Sequence, residues 1–364
     1  MDLATFLILI LALYVLQAAV LLLGMTRISG DYGAARPSVS VIVAARNEED
    51  AIGNCIDTVC TQSYPVDLFQ VIVVDDDSTD RTAEIVRERM RRFPHLRLER
   101  PDAASTLRGK SRALEAGISR ATGEVVLITD ADCRVPPTWV EETARRYTPD
   151  VGLIGGMTLQ ESTTTFGGMQ SLDWAYLLGI AASSVALGGS FGSIGNNLSF
   201  RKKAYEEVGG YGALPFSVTE DYTLVRAICK TRRWKQLYPI DPRVLVQSQP
   251  CADLRTLFRQ KHRWGRGGLD VPLAGFLIMA VGWCVHALPF VHTIVWGAWA
   301  HTLTILLVKA SADYAVLYSV LHRLGRTDDL RHFFAFQLYF TAYVIALPFI
   351  VLAAGPVRWK GRSY

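Results

Sequence analysis

Two carboxylates flanking one small residue, Asp130-Ala131-Asp132, directly follow an apolar run at 124–129 (EVVLIT). Alternating carboxylates on a turn can hold Mg2+ or Mn2+, hard ions that take oxygen ligands and commonly share them with phosphates. Such an ion would offset the charge that builds on a departing nucleoside diphosphate. Because Asp-x-Asp is frequent in surface turns, its weight here comes from the buried strand that precedes it. A second cluster, Asp75-Asp76-Asp77, ends another apolar run at 70–74 (QVIVV). It reads either as a solvated turn, with Asp77 or Ser78 capping a helix, or as a carboxylate that accepts hydrogen bonds from a base or ribose. Arg46-Asn47-Glu48 ends a first run, 38–44 (SVSVIVA), and would line the same crevice. Glu220-Asp221 offers a carboxylate able to act as a base, against the plainer reading of a charge pair at a helix N-terminus. Gln260-Lys261-His262-Arg263-Trp264 supplies cations and an aromatic face beside an apolar segment.

These residues need elements to position them. The three apolar runs read as buried strands, with helices expected over 49–61, from a cap at Ser78 or Thr79 to about Arg92, and over 110–120. Strand–helix alternation with short connections implies a mostly parallel, doubly wound sheet, and open sheets of that kind bind ligands at the carboxyl ends of their strands. Arg108-Gly109-Lys110-Ser111 resembles the end of a P-loop, but Ala104 stands where that motif needs Gly. A dinucleotide fingerprint is excluded as well, because Ala-Ala-Arg-Asn-Glu and not a Gly-rich turn follows the first strand.

The ends of the chain are of another kind. Half of the 364 residues are hydrophobic, and they are unevenly placed. Residues 3–23 are nearly uncharged and suit one bilayer span of about 20 residues; a cleaved signal peptide would want a basic start, which is missing. From 271 to 355 the chain has room for three spans, at 273–292, 297–320 and 333–355, with Lys309 and Asp313 one helical turn apart inside the second. Arg323, Arg326 and Arg331 place one loop in the cytoplasm, and Arg358, Lys360 and Arg362 place the tail there too. One crossing cannot satisfy both, so either the segment around Pro348 re-enters or a boundary differs. His286, His292 and His301 among tryptophans fit interface packing better than haem. Residues 171–187, rich in Trp, Tyr and Leu, read as an interfacial or a core helix, and 253–266 as a basic amphipathic helix whose cations would be hard to bury. The net charge of +4, with no basic block interleaved with aromatics, excludes nucleic acid as a partner. The arginines suit an anionic lipid bilayer. Six cysteines without a CxxC pair read as free thiols and not as a zinc site.

Seven stretches in order, PSVSVIVAARNEE, VVDDDSTD, GKSRALEAGI, TDAD, GNNLSFRKKAYEEVGGY, TED and QKHRW, resemble the membrane-bound inverting glycosyltransferases of family 2 over about residues 37–268. The resemblance implies an α/β GT-A fold (Rossmann-like, mostly parallel) at 37–250, an N-terminal transmembrane helix at 1–26, an interface helix carrying QxxRW at 251–270, about three transmembrane helices at 271–357 and a basic tail at 358–364. In the family pattern Asp76, with Asp75, contacts the nucleotide, and Ala44, Arg46 and Glu48 line its base pocket. Lys110 falls with the donor-binding residues. Asp130 and Asp132 match the DxD motif for Mn2+ or Mg2+ and diphosphate, and Asp221 matches the general base, with Glu220 beside it as an alternative base or an acceptor contact. Gln260, Arg263 and Trp264 match the motif that grips the diphosphate and closes over the acceptor. The implied reaction moves one sugar from a UDP-sugar, UDP-glucose by preference, to a hydroxyl of a membrane lipid, at the inner (plasma) membrane with the catalytic domain cytoplasmic. Ceramide- or carotenoid-type lipid glycosyltransferases fit best, and the tail VRWKGR is similar to the end of ceramide glucosyltransferase-like proteins. A processive polysaccharide synthase would need more spans and a Cys-Gly-Ser-like acceptor motif where this chain has Gly195-Asn196-Asn197-Leu198. A polyprenyl-phosphate sugar transferase generally lacks QxxRW, and a non-catalytic nucleotide-binding scaffold would not need every chemical position filled.

Overall fold

The structure is a computed structural model that describes residues 2–28, 33–190, 194–267, 273–297, 299–353, 358–359 and 362–363. The chain divides into two compact units: one of residues 28–160 and 184–249, the other of 1–27, 161–183 and 250–364.

The first unit is built on a seven-stranded sheet. In chain order its strands are β1 (Val39–Ala45), β2 (Phe69–Asp75), β3 (Leu96–Glu99), β4 (Val125–Asp130), β5 (Val151–Gly155), β7 (Leu198–Arg201) and β8 (Lys235–Leu237), with β6 (Thr158–Gln160) and β9 (Val246–Ser248) pairing apart. Their order across the sheet is β3-β2-β1-β4-β7-β5-β8, parallel except that β7 runs antiparallel to both neighbours. Both faces are apolar because successive side chains point to opposite sides. Val41 and Val43 of β1, Val71 and Val73 of β2 and Leu127 of β4 join one core, under α2 (Ile52–Cys60), α3 (Thr82–Met90) and α5 (Trp139–Ala144). Ile42, Ile72, Val126 and Ile128 join the other, under α4 (Lys110–Arg120), α7 (Lys202–Glu207), α8 (Gly210–Ala213) and α9 (Glu220–Lys230). Gly117 allows α4 to press onto the sheet, since a Cβ there would come within 2.6 Å of Ile42 Cγ2.

Two helix starts differ from the sequence reading. The second helix begins at Ile52 and not at residue 49, after a turn in which Asn47 takes φ 52°. The third begins at Thr82, so neither Ser78 nor Thr79 is its cap. Those two residues are instead bound to Asn47: its amide donates to Ser78 Oγ at 3.0 Å and its Oδ1 accepts from Thr79 N at 2.8 Å. The cap-like acceptor is Asp80, whose Oδ1 lies 3.0 Å from Thr82 N.

The second unit is helical: α1 (Leu3–Thr26), most of α6 (Thr165–Ala186), α10 (Leu254–Gly267), α11 (Leu273–Trp296), α12 (Trp299–Arg323) and α13 (Phe333–Ala353). Four helices are long and apolar enough to cross a membrane, at Leu3–Thr26, Gly275–Trp296, Trp299–Arg323 and Thr327–Leu352. Helix α13 continues through Pro348, and Lys360 of the expected basic tail is outside the described residues. The helix expected at 171–187 starts earlier, at Thr165, buries most of its length and belongs with the helical unit.

The charges in these helices are paired. Asp313, fully buried, accepts from Tyr14 Oη (2.5 Å), Tyr176 Oη (3.1 Å), Gln337 Nε2 (2.9 Å) and Lys309 Nζ (3.0 Å), joining α1, α6, α12 and α13. Removing one partner of a buried pair strands the other charge. Asp313→Ala is therefore expected to lower unfolding stability by about 3–5 kcal/mol, whereas the double variant Lys309→Met/Asp313→Leu recovers most of it. Thermal denaturation in detergent checks this, and equal losses in the single and double variants would contradict the charge argument.

Candidate active site

The register of the sheet brings distant carboxylates to one edge. Ala45 at the end of β1 pairs with Asp75 of β2, and Ala44 pairs with Asp130 of β4, so three strands end side by side at their carboxyl termini. Ala44, half-buried, lies between Val74 of β2 and Asp130 of β4.

Asp75 is wholly buried, and its Oδ1 accepts from Ser78 N at 3.0 Å, which fixes the turn. Its Oδ2 lies 3.6 Å from Arg100 Nη2 and has no hydrogen-bond partner among the described residues. Asp76 is held by cations. Arg112 Nη1 lies 2.9 Å from Asp76 Oδ1 and 2.9 Å from Asp77 Oδ2, and Arg46 Nη1 donates to the Asp76 carbonyl at 2.6 Å. Glu48 is anchored through its backbone, N to Thr82 Oγ1 at 2.8 Å. Arg112 was not picked out from the sequence. The signal was its place two residues after Lys110, at the start of a helix whose preceding glycine has φ 63°.

Lys110 connects the second and third carboxylate groups. Its ammonium is bonded to Asp130 Oδ1 and lies 3.8 Å from Glu220 Oε1. Burial works against its charge, but Asp130, Glu220 and Asp221 outweigh that and hold the amine above its ordinary range, so it stays cationic. Asp221 stands one residue into α9. Its Oδ2 accepts from Gly195 N at 2.7 Å and its Oδ1 from its own helix start, Tyr222 N, at 2.8 Å. A Cβ on Gly195 would sit 3.3 Å from Asp221 Oδ2 and 3.4 Å from Lys110 Nζ, so Asp221 and Lys110 border the same small space. Gly195 was missed as a site residue because a lone glycine in a loop carries no chemistry of its own.

Asp132 is half-buried and accepts from Cys133 Sγ at 3.5 Å, while Cys55 Sγ donates to the Asp130 carbonyl at 3.4 Å. Burial, reinforced by Asp132, pushes both thiols well above their ordinary range. As protonated thiols they donate to the turn, Cys55 to the Asp130 carbonyl and Cys133 to Asp132. Among the described residues no three His, Cys, Asp or Glu side chains gather closely enough to hold a metal unaided. A hard ion at Asp130 and Asp132 would need further oxygens from phosphate and water. That fits Mg2+ or Mn2+, which keep waters and bind through one or two carboxylates plus substrate phosphate.

Gln260, Arg263 and Trp264 lie on α10 of the helical unit. The neighbouring Lys261, expected to resist burial, is buried: it is paired with Asp173 of α6, which also accepts from Tyr339 Oη at 2.9 Å. Its ammonium stands 4.6 Å from the Trp264 ring centroid and 4.8 Å from that of Tyr343, and Trp174 packs on Trp264 at 5.3 Å. A carboxylate and aromatic faces make the burial tolerable.

A mostly parallel sheet with β7 reversed, a DxD turn ending β4 and an acidic start to α9 is the GT-A arrangement. The profile of glycosyl transferase family 2 matches residues 40–209, and that of glycosyl transferase family group 2 matches residues 125–355. The chain belongs to glycosyl transferase family group 2. It is 28% identical over 235 residues to a beta-monoglucosyldiacylglycerol synthase of Synechocystis, covering 64% of this chain and 48% of that protein. It is 27% identical over 245 residues to a poly-beta-1,6-N-acetyl-D-glucosamine synthase of Staphylococcus epidermidis, covering 65% and 56%. The matched region thus spans about half the length of these curated relatives. A mannosyltransferase from Pyrobaculum calidifontis, solved with GDP-Man and Mn2+, shares the fold with TM-score 0.61 and 22% identity, over 96% of this chain and 99% of that one.

Lys110→Met leaves Asp130 and Glu220 without their shared cation. The expected cost at pH 7 is about 2–3 kcal/mol, below that of a fully buried pair because Asp130 is partly exposed. Denaturant unfolding of Lys110→Met beside Lys110→Arg, which keeps the positive charge, tests it; equal losses in the two variants would mean that Lys110 contributes packing and not charge.

Proposed function

We propose that the protein transfers one sugar, with inversion, from a nucleoside diphosphate sugar to a hydroxyl of a membrane lipid, with UDP-glucose as the donor. The observation that carries this reading is the convergence of Asp130, Glu220 and Asp221 around Lys110, with Gly195 N on Asp221. In the proposed step the acceptor oxygen bonds to the anomeric carbon as the bond from that carbon to the diphosphate oxygen breaks, and the electron pair leaves with the nucleoside diphosphate. The acceptor's proton passes to Asp221, whose hydrogen bonds from Gly195 N and Tyr222 N fix its orientation. Aspartate is a weak base at its reference pKa of about 3.9, so it works chiefly by holding the hydroxyl in line and taking the proton late. Lys110 supplies a permanent cation beside the leaving group. Asp130 and Asp132 would hold Mg2+ or Mn2+, which when bound adds positive charge at the diphosphate. Asp76, positioned by Arg112 and Arg46, with Ala44 and Glu48 beside it, would receive the nucleoside. The roles of Gln260, Arg263 and Trp264 at the diphosphate and acceptor are proposed from the family pattern alone.

A lipid acceptor is supported by the four helices able to cross a membrane and by the likeness to a monoglucosyldiacylglycerol synthase. We place the enzyme in the inner membrane with the α/β unit cytoplasmic, where nucleotide sugars are made. The likeness to a polysaccharide synthase favours one second reading, repeated addition to a growing glycan. Product length separates them. Purified protein given UDP-sugar, Mn2+ and lipid should yield a singly glycosylated lipid by mass spectrometry; long polymer made without lipid would overturn the lipid reading. Asp221→Asn should lower kcat by about 10^2–10^4-fold with donor affinity near normal, and comparable turnover would remove Asp221 as base. Asp130→Ala/Asp132→Ala should abolish the Mn2+-dependent part of nucleotide binding in calorimetry.

A further inference from the structure

One cavity in the α/β unit is left without a role by this scheme. It measures about 250 Å3 and lies between the approach to α4, the end of α8 and the start of α9. Arg108, Ser111, Tyr211 and Glu220 contribute polar lining, while Leu214 and Phe216 contribute apolar lining. Phe216 is half exposed. Tyr211 is 3% exposed, and its phenol oxygen has no hydrogen-bond partner among the described residues, although its backbone amide is bound to Tyr205 Oη at 2.9 Å. A buried hydroxyl left unsatisfied is costly, and native proteins rarely keep one unless water or a ligand completes it.

We infer that this cavity receives the hydroxyl-bearing head of the acceptor, with Tyr211 Oη as its hydrogen-bond partner and Phe216 against its apolar part. The inference rests on the glycosyl-transfer reading and adds the acceptor's place to it. Three features favour the acceptor over the donor. None of Arg46, Asp76, Lys110, Asp130 or Asp132 lines the cavity, so a nucleoside diphosphate bound to those residues would lie outside it. Glu220, which does line it, is the chain neighbour of the proposed base. The volume is below the roughly 300–1,000 Å3 of pockets that enclose drug-sized ligands, which suits a small polar head whose hydrocarbon stays outside. The combination of hydroxyl, cation and carboxylate with two apolar side chains matches an amphiphile's glycerol or sugar end, not a second phosphate group.

Tyr211→Phe removes only a hydroxyl that has no partner among the described residues, so folding should not suffer. With dioctanoylglycerol as acceptor probe and UDP-glucose as donor, the variant should raise the acceptor KM about 3–10-fold, the worth of one hydrogen bond, without raising the donor KM. Phe216→Ala, at a half-exposed position, should raise the acceptor KM similarly. An unchanged acceptor KM in both variants, or a rise confined to the donor KM, would overturn the assignment. Hydrogen exchange decides the matter independently of turnover: dioctanoylglycerol micelles should protect residues 211–223 in the full chain and not in Phe216→Ala. Absence of that protection would count against the cavity even in an active enzyme, whereas its presence in a protein that transfers no sugar would retain the site and discard the reaction.

Discussion

Negative charge gathered at one edge of the sheet is the constraint around which the α/β unit is organised. Parallel strands β2, β1 and β4 end in register, which places the Asp75–Asp77 and Asp130–Asp132 clusters on either side of the end of β1, and the start of α9 adds Glu220 and Asp221. Without cations those groups would repel one another. Helix α4 delivers two: Lys110 to Asp130 and Glu220, and Arg112 to Asp76 and Asp77. Its N-terminal end adds the partial positive charge of its unsatisfied amides. The close approach permitted by Gly117, far down the same helix, sets where those two cations fall. Packing and electrostatics at this edge are therefore a single problem, with α4 as its shared solution.

Much of this was legible because buried parallel strands are short apolar runs, and the residue that ends such a run is delivered to the ligand edge by topology alone. Asp130 and Asp76 could be placed on that ground. Period-2 apolar runs say nothing about which side chain at a strand end turns inward, so Asp75 and Asp76 looked equivalent, although one fixes a turn and the other faces two arginines. Helix starts were misplaced for a related reason. Ser78 and Thr79 have the chemistry of caps, but Asn47, distant in sequence, takes both into a loop–loop contact. The short strands β5 to β9 carry too few residues to show a period.

The helical unit repeats one device twice. Asp313 and Asp173 are each buried, each paired with a lysine and each hydrogen-bonded by tyrosine. The cost of burying such charges means that they survive only where every lone pair finds a donor, and that makes them strong determinants of which helices meet. Lys261 illustrates why its burial was unexpected from sequence. A lysine among arginines on an amphipathic helix looks like one more cation for lipid headgroups, and only the carboxylate of Asp173, on a helix some ninety residues earlier, makes another fate possible. The consequence falls on Trp264, whose ring lies against Lys261 and Trp174, so that the aromatic of the QxxRW segment is held by a lysine within the segment and a tryptophan of α6.

The stretch Gly195-Asn196-Asn197 changes meaning once its contacts are known. As sequence, it counted against a polymerising enzyme because it replaces an acceptor motif. In the fold, both asparagine side chains are structural. Asn197 donates to the carbonyls of Met157 (2.8 Å) and Val244 (3.0 Å) and accepts from Trp139 Nε1 (3.0 Å), while Asn196 accepts from Thr158 Oγ1 (2.9 Å). These bonds fix the entry to β7 and so fix Gly195 N on Asp221. The segment is thus a frame for the proposed base, and a side chain at 195 would press on Asp221 Oδ2 at 3.3 Å. Its composition follows from that framing and bears on how the base is aimed.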